Sequence, residues 1–311
     1  MDKICDLKTT QDIVKYINRA KETLSPDLLL ILIGPTASGK TKLAVELAKA
    51  LHGEIISADS RQVYQGLDIG TGKDLKEYDE IPYHLIDIVT PTAHYSVKEF
   101  VKDFDIAYQN IIARGKLPIL CGGTGSYVQT LLQPQPYSSI PKDDTFHVEH
   151  AAFTKAELID KIKAEEIPSD FQIDWDSHKR LIRSLEIIRY LKTNELPIDS
   201  ANKQYPYLII ALNPSLETRR GRIDKRLSAR MEEGLIPEVQ GLLESGLSHD
   251  QLQWFGLEYK YASYYLLGKL TLEEFHDKLR TEIYRFAKRQ MTYFRKMEKD
   301  GLAIHWVVNY R

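Results

Sequence analysis

The sequence predicts an α/β fold: a parallel sheet behind a phosphate-binding loop, with flanking helices, a small helical insertion and a helical C-terminal part. Three observations carry that expectation. Residues 34–41 read GPTASGKT, in which Gly34, Gly39, Lys40 and Thr41 have the spacing of a phosphate-binding loop (P-loop). The run LLLILI at 28–33 suits a strand buried on both faces, and 42–51 after the loop is amphipathic. Strand-like and helix-like segments then alternate as far as Tyr127.

Taken in order, residues 10–24 read as a short helix that ends at Ser25-Pro26, within an N-terminal extension covering 1–27. The core expected over 28–135 opens with the strand, loop and helix described above. EIISA at 54–58 is a second strand with Asp59 at its carboxyl end. YHLIDIV at 83–89 is a third, and Asp87 within it is either a carboxylate at the cleft or a buried, paired residue. Residues 96–114 form a helix opened by Ser96 and Glu99 as a capping box. A fourth strand at 117–121 ends in Cys121 and runs into Gly122-Gly123-Thr124-Gly125.

The Pro-rich stretch QPQPYSSIP at 133–141 marks a boundary. Helices are expected at 147–167 and 177–193, within an insertion covering 136–196. The remainder, 197–311, returns to the sheet at 207–212, is helical from Pro214 to about Lys299, and closes with a strand at 303–308.

Composition limits the class of protein. A hydrophobic share of 43% and a charged share of 28% are those of a soluble globular chain, and no run approaches the roughly 18 apolar residues of a membrane span. The start MDKICDLKTT lacks a secretory layout, and two distant cysteines, Cys5 and Cys121, suggest a reducing cytoplasm. The net charge of −2 hides three basic stretches. Residues 179–192 carry five Lys/Arg, 219–230 carry six and 278–296 carry seven, each against a single acid. These are either solvated helix faces or a nucleic-acid face.

In a doubly wound sheet, ligands collect at the carboxyl ends of the strands. The 34–41 loop, Asp59 and Gly122-Gly123-Thr124-Gly125 all follow strands, so they are expected to meet in one cleft. Backbone N–H groups and Lys40 suit phosphate, and the Thr41 hydroxyl suits Mg²⁺. Asp59 there could bind Mg²⁺, act as a general base or merely cap a turn. Arg180 and Arg183, three apart on one helix, could grip phosphate or pair with Glu186. Tyr259, Tyr261, Tyr264 and Tyr265 could stack on bases or pack in a core. His84, His94, His147, His150 and His178 form no metal-ligand spacing.

The motifs GPTASGKT, EIISADSRQVY (54–64), DIGTGK (68–73), PYHLIDIVTP (82–91), YSVKEF (95–100), GKLPILCGGTGSY (115–127), RLIRSLEI (180–187) and AKRQMTYFRK (287–296) follow one another in a recognisable order. In that order the chain resembles the tRNA dimethylallyltransferases, also called tRNA isopentenyltransferases, over roughly 28–308. The resemblance implies transfer of the dimethylallyl group of dimethylallyl diphosphate to the exocyclic amine of the adenosine 3′ of a tRNA anticodon. It implies a diphosphate site formed by Gly34, Pro35, Thr36, Ala37, Ser38, Gly39, Lys40 and Thr41, with Thr41 on Mg²⁺. Asp59 would be the base, and Thr124, Lys40, Arg180 and Arg183 would complete the catalytic set. Asp59, Ser60, Arg61 and Gln62, together with Lys179, Arg180, Leu181, Ile182 and Arg183, match tRNA-contact segments. The expectation is a cytoplasmic monomer that binds the anticodon stem-loop through its basic helices and uses no membrane.

Departures from the family pattern are a short insertion before Arg180, Ser126 where Leu is common, Tyr293 where Trp is common, and GLEYK at 256–260. The competing readings are a small-molecule kinase or nucleotide hydrolase, a free-adenylate isopentenyltransferase, and a non-catalytic RNA-binding protein.

Overall fold

Strand β1, Leu29–Ile33, is fully buried and occupies the middle of the sheet. The computed structural model describes residues 7–133, 136–169, 171–196, 204–308 and 310. Parallel to β1 lie β4 (Leu117–Gly122) on one side and β5 (Tyr207–Leu212) on the other. Outside these, β2 (Gly53–Ser57) pairs with β4, β3 (Tyr83–His84) with β2, and β6 (Ile304–Val307) with β5. The six strands run β3-β2-β4-β1-β5-β6, every neighbouring pair parallel.

Successive side chains of β1 enter opposite cores, which is why the strand shows no polar alternation. Leu30 and Leu32 pack with Ile13 and Ile17 of α1 (Thr10–Thr23) and with Leu43 and Leu47 of α2 (Lys40–Leu51). Leu29, Ile31 and Ile33 join a larger core on the other face. It holds Phe100 and Phe104 of α3 (Val97–Ala113) and Tyr127 of α4 (Gly125–Leu132). The C-terminal helices α8 (Leu216–Glu233), α9 (Leu235–Glu244), α10 (His249–Phe255), α11 (Leu257–Leu266) and α12 (Leu272–Lys299) also bury residues there.

The chain divides into two compact units, Met1–Leu132 with Gln204–Arg311, and Gln133–Lys203. The second contains α5 (Asp144–His150), α6 (Lys155–Lys163) and α7 (His178–Thr193). They close on their own small core of Leu158, Ile162, Leu181, Ile182, Leu185 and Ile188. The boundary expected between 135 and 136 has its first side, with 134, outside the described residues. The boundary expected after 196 likewise opens onto 197–203 outside them, and so do Cys5 and the rest of 1–6. Among the described residues no helix is long and apolar enough to cross a membrane.

Two expected elements are corrected. Strand β3 covers only Tyr83 and His84, because Leu85 (φ 62°) and Asp87 (φ 57°) adopt the left-handed conformation and turn the chain out of the ladder. Asp87 then pairs with the buried Lys73, resolving its two readings in favour of the paired one. The single helix expected at 147–167 is two, because Thr154 caps α6 with Glu157 in a capping box. The predicted capping box of Ser96 and Glu99 opens α3 as expected.

Glu54 is a carboxylate inside a buried strand. Arg114 grips it with Nε at 3.2 Å and Nη2 at 2.6 Å, and His84 Nε2 lies 2.8 Å from Oε2. Burial acts to raise its pKa, but the hydrogen bonds from Arg114 and His84 more than offset this and hold it below the usual value. A carboxylate depressed on folding stabilises the protein above its unfolded pKa of about 4.3, and that contribution is lost as pH falls through the folded value. Glu54→Gln is therefore expected to cost roughly 1–3 kcal/mol in urea unfolding at neutral pH. The gap from wild type should close as the titration moves into the acid range.

Candidate active site

The carboxyl ends of β1, β2 and β4 open into a cleft of about 800 Å³. Thr36 to Thr41, Asp59 to Gln62 and Thr124 all line it, so the sequence-predicted cluster does come together. Gly34 and Pro35 stand behind the wall: the Pro35 carbonyl accepts from the Ser38 N–H at 3.2 Å. Ala37 holds φ 60°, a left-handed conformation that a non-glycine residue adopts at a cost, as loops shaped around a ligand often do. The buried Ser38 hydroxyl has no partner among the described residues.

Positive charge accumulates around this loop. Arg222, Arg226 and Arg230 lie four apart on α8, and all three line the cleft. Arg222 Nη1 donates to the Ser38 carbonyl at 2.9 Å, and Arg226 Nη2 donates to the Thr36 hydroxyl. Burial lowers the Lys40 pKa, with Arg226 adding to the effect while Cys121, Asp59 and Glu77 oppose it. Burial and then Arg230 push Arg226 down to about 10. Both cations are thus held where charge is disfavoured until an anion arrives. The sequence singled out 219–230 only as a basic face; the i, i+4, i+8 spacing of these three arginines was its readable signal.

Opposite the loop, Asp59 Oδ1 accepts the Arg61 N–H at 2.9 Å, and Oδ2 has no protein partner among the described residues. Thr124 Oγ1 accepts the Ser60 N–H at 3.2 Å, and its own N–H donates to the Ala58 carbonyl at 3.2 Å. A side chain at Gly122 would strike that same Ala58 carbonyl, so only glycine lets the ends of β2 and β4 approach this closely. Arg61 stacks over Trp254 at 4.1 Å from the ring centroid. Gln62 accepts from Ser57 Oγ at 3.1 Å and donates to the Gly72 carbonyl at 2.9 Å.

The 68–73 segment forms another side of the cleft. Glu238 accepts the N–H groups of Asp68 (3.1 Å), Ile69 (2.6 Å) and Gly70 (3.0 Å) and the Tyr259 hydroxyl (2.7 Å). Lys73, 1% exposed, donates to the Tyr64 carbonyl at 2.8 Å and Asp68 at 2.6 Å as well as to Asp87. Tyr259 is therefore a buried structural ring, and Tyr265 stacks on Phe275 in the same core. Glu238 carried no signal in sequence, and Lys73 stood there only as the last residue of DIGTGK, since each acts through partners that no local pattern specifies.

The remaining predicted residues lie on α7 in the second unit. Leu181 and Ile182 are core residues, 0% and 4% exposed, and their side chains build the unit's interior. Lys179 is exposed. Arg180 is exposed and paired with Asp174. Arg183 is committed to Glu186 (2.5 Å) and to the carbonyls of Ile140 (2.6 Å) and Pro141 (3.1 Å).

Among the described residues no group of three or more His, Cys, Asp or Glu could hold a metal. Thr41, which lines the cleft beside Lys40, presents a hydroxyl, an oxygen donor of the kind Mg²⁺ accepts.

The chain matches the family model described as IPP transferase over residues 62–297 and that described as isopentenyl transferase over 27–80. It is 43% identical over 280 residues to tRNA dimethylallyltransferase 1 of Geotalea uraniireducens, covering 90% of this chain and 92% of that one. Among solved structures it is similar to the full-length tRNA isopentenylpyrophosphate transferase of Bacillus halodurans, with a TM-score of 0.66, 36% identity and coverage of 91% and 90%. It is also similar to a eukaryotic dimethylallyltransferase acting on tRNA, with a TM-score of 0.73, 25% identity and coverage of 91% and 74%. The chain belongs to the tRNA dimethylallyltransferase family.

Proposed function

We propose that this protein transfers the dimethylallyl group of dimethylallyl diphosphate to the N6 amine of the adenosine 3′ of the anticodon in tRNA, releasing diphosphate. The observation that carries this reading is one cleft holding a cationic anion cradle and, beside it, a carboxylate with a free oxygen. A kinase needs the cradle, but the base at Asp59 beside Thr124, in a chain of this family, fits an amine acceptor. The enzyme works as a single chain in the cytoplasm, where its RNA substrate resides.

In the reaction the C1–O bond of the donor breaks, and its electron pair leaves on the diphosphate. The N6 lone pair forms the new bond to C1, and one N6 proton passes to the Asp59 carboxylate. Resonance across the allyl group spreads the positive charge on C1. Lys40, Arg222 and Arg226, with the N–H groups of the loop, stabilise the charge growing on the leaving oxygens. Thr41 and the diphosphate would hold Mg²⁺, which when bound supplies further neutralisation of those oxygens. Thr124 orients Ser60 and keeps its own hydroxyl proton available toward the reacting centre. Arg180, exposed and paired with the half-buried Asp174, is the freer of the two α7 arginines to meet a phosphate.

The target base must leave its stack, at a cost of a few kcal/mol that is smaller in a loop than in a duplex. Phosphate contacts offset this. On α12, Lys288, Arg289 and Arg295 are exposed with no acidic partner among the described residues, whereas Arg285 is paired with Glu282 and Lys296 with Asp300.

Nucleoside mass spectrometry after incubation with unmodified tRNA, Mg²⁺ and dimethylallyl diphosphate should show an adenosine heavier by one isopentenyl group. Asp59→Asn should lower the transfer rate by about 10²–10⁴ while diphosphate binding survives. ATP consumption with unchanged adenosine would instead favour the kinase or hydrolase. Saturating inorganic diphosphate with Mg²⁺ should raise the melting temperature, by about 2.7 kcal/mol of stabilisation at a hundredfold excess over Kd. That shift should shrink in Lys40→Ala and Arg226→Ala. Removing Lys288 and Arg295 together should weaken tRNA binding and flatten its salt dependence, by about one unit of slope for each phosphate no longer gripped.

A further inference from the structure

Beyond the pair Ile33 and Gly122, the ladder between β1 and β4 has no further rung. There β1 turns into the phosphate-loop segment while β4 passes through Gly123 and Thr124 into α4. Two backbone groups are stranded by this divergence, the Thr36 N–H and the Gly123 carbonyl. One side chain from far along the chain meets both. Gln290 of α12, 9% exposed, accepts the Thr36 N–H on Oε1 at 2.8 Å and donates from Nε2 to the Gly123 carbonyl at 3.0 Å. Its carboxamide, a planar donor–acceptor like a peptide group, stands where the next rung would be. Gly123 accommodates it because a Cβ there would strike Gln290 Nε2.

The consequence lies in what each end is attached to. The Thr36 end belongs to the leaving-group cradle, and the Thr36 hydroxyl is held by Arg226. The Gly123 end continues to Thr124, which grips Ser60 and the Ala58 carbonyl on either side of Asp59. We propose that Gln290 is a positioning residue that sets the separation between the diphosphate cradle and the Asp59 acceptor side. It thereby governs the chemical step and not tRNA affinity. This inference rests on the transfer reaction proposed above. An amide is required because the bridge must accept at one end and donate at the other. Glutamate keeps the acceptor but loses the donor, and methionine, of similar length, keeps neither useful donor nor strong acceptor.

The test compares wild type, Gln290→Glu and Gln290→Met. It reads single-turnover dimethylallyl transfer at saturating substrates, tRNA Kd by filter binding, and inorganic diphosphate binding. The expected result for both variants is at least a tenfold loss in the transfer rate, with tRNA Kd within twofold of wild type. Gln290→Met should also keep its diphosphate affinity within about threefold, since misalignment and not loss of cationic contacts is the defect. Transfer rates within twofold of wild type in both variants would overturn the proposal. So would tRNA and diphosphate affinities that fall in parallel with the rate, which would mark a general structural brace. If wild type itself leaves tRNA unmodified, the transfer reading fails, an outcome distinct from active wild type with unimpaired variants.

Discussion

Cations gathered in a protein interior repel one another and lose their hydration, so they persist only if the surrounding structure holds them there. Arg230, buried, and Lys40 and Arg226, half-buried, are in that situation at the foot of the cleft. Burial lowers the pKa of both Lys40 and Arg226. Arg230, 4% exposed, keeps Glu258 at 2.9 Å, yet its Nε has no partner among the described residues. The cost is met by the hydrophobic packing of α8, whose Ile223 and Leu227 sit in the large core and fix the arginine face toward the loop. A multiply charged anion would turn this arrangement from a liability into a binding site.

Geometry at the acceptor side is set by backbone contacts, which are stiffer than side-chain ones. The ends of β2 and β4 meet at Gly122 with no side chain between them, and Thr124 ties the two turns together. The 68–73 segment, which has no place in the sheet, is held by satisfying its N–H groups with the Glu238 carboxylate and its Asp68 carboxylate with Lys73. These are polar groups with their partners supplied, the condition under which such a network rigidifies and does not destabilise.

The insertion follows the same logic on a smaller scale. Leu181, Ile182, Leu185 and Ile188 give α7 one apolar face, and Arg183 anchors the incoming chain at Ile140 and Pro141. Glu186 gathers Arg183, His147 and the Asp143 N–H around one carboxylate. A basic helix thus divides its charges between internal bracing at Arg183 and exposed ones at Lys179 and Arg180.

The sequence by itself determined whatever is encoded locally. The apolar run at 28–33, the glycine spacing of the loop and the Ser96 capping box each act within a few residues. They specified the parallel sheet, the loop and the place of Asp59 and Thr124 at strand ends. Tertiary structure alone decided the contacts closed over long separations. Gln290 reaches Thr36 across 254 residues, Arg226 reaches it across 190, and Glu238 captures the N–H of Asp68 across 170. It also decided which half of an ambiguous helix is buried, turning Leu181 and Ile182 inward. It shortened β3 by placing Leu85 and Asp87 in left-handed conformations. Such choices depend on which distant segment of the chain arrives, and no local pattern of residues records that.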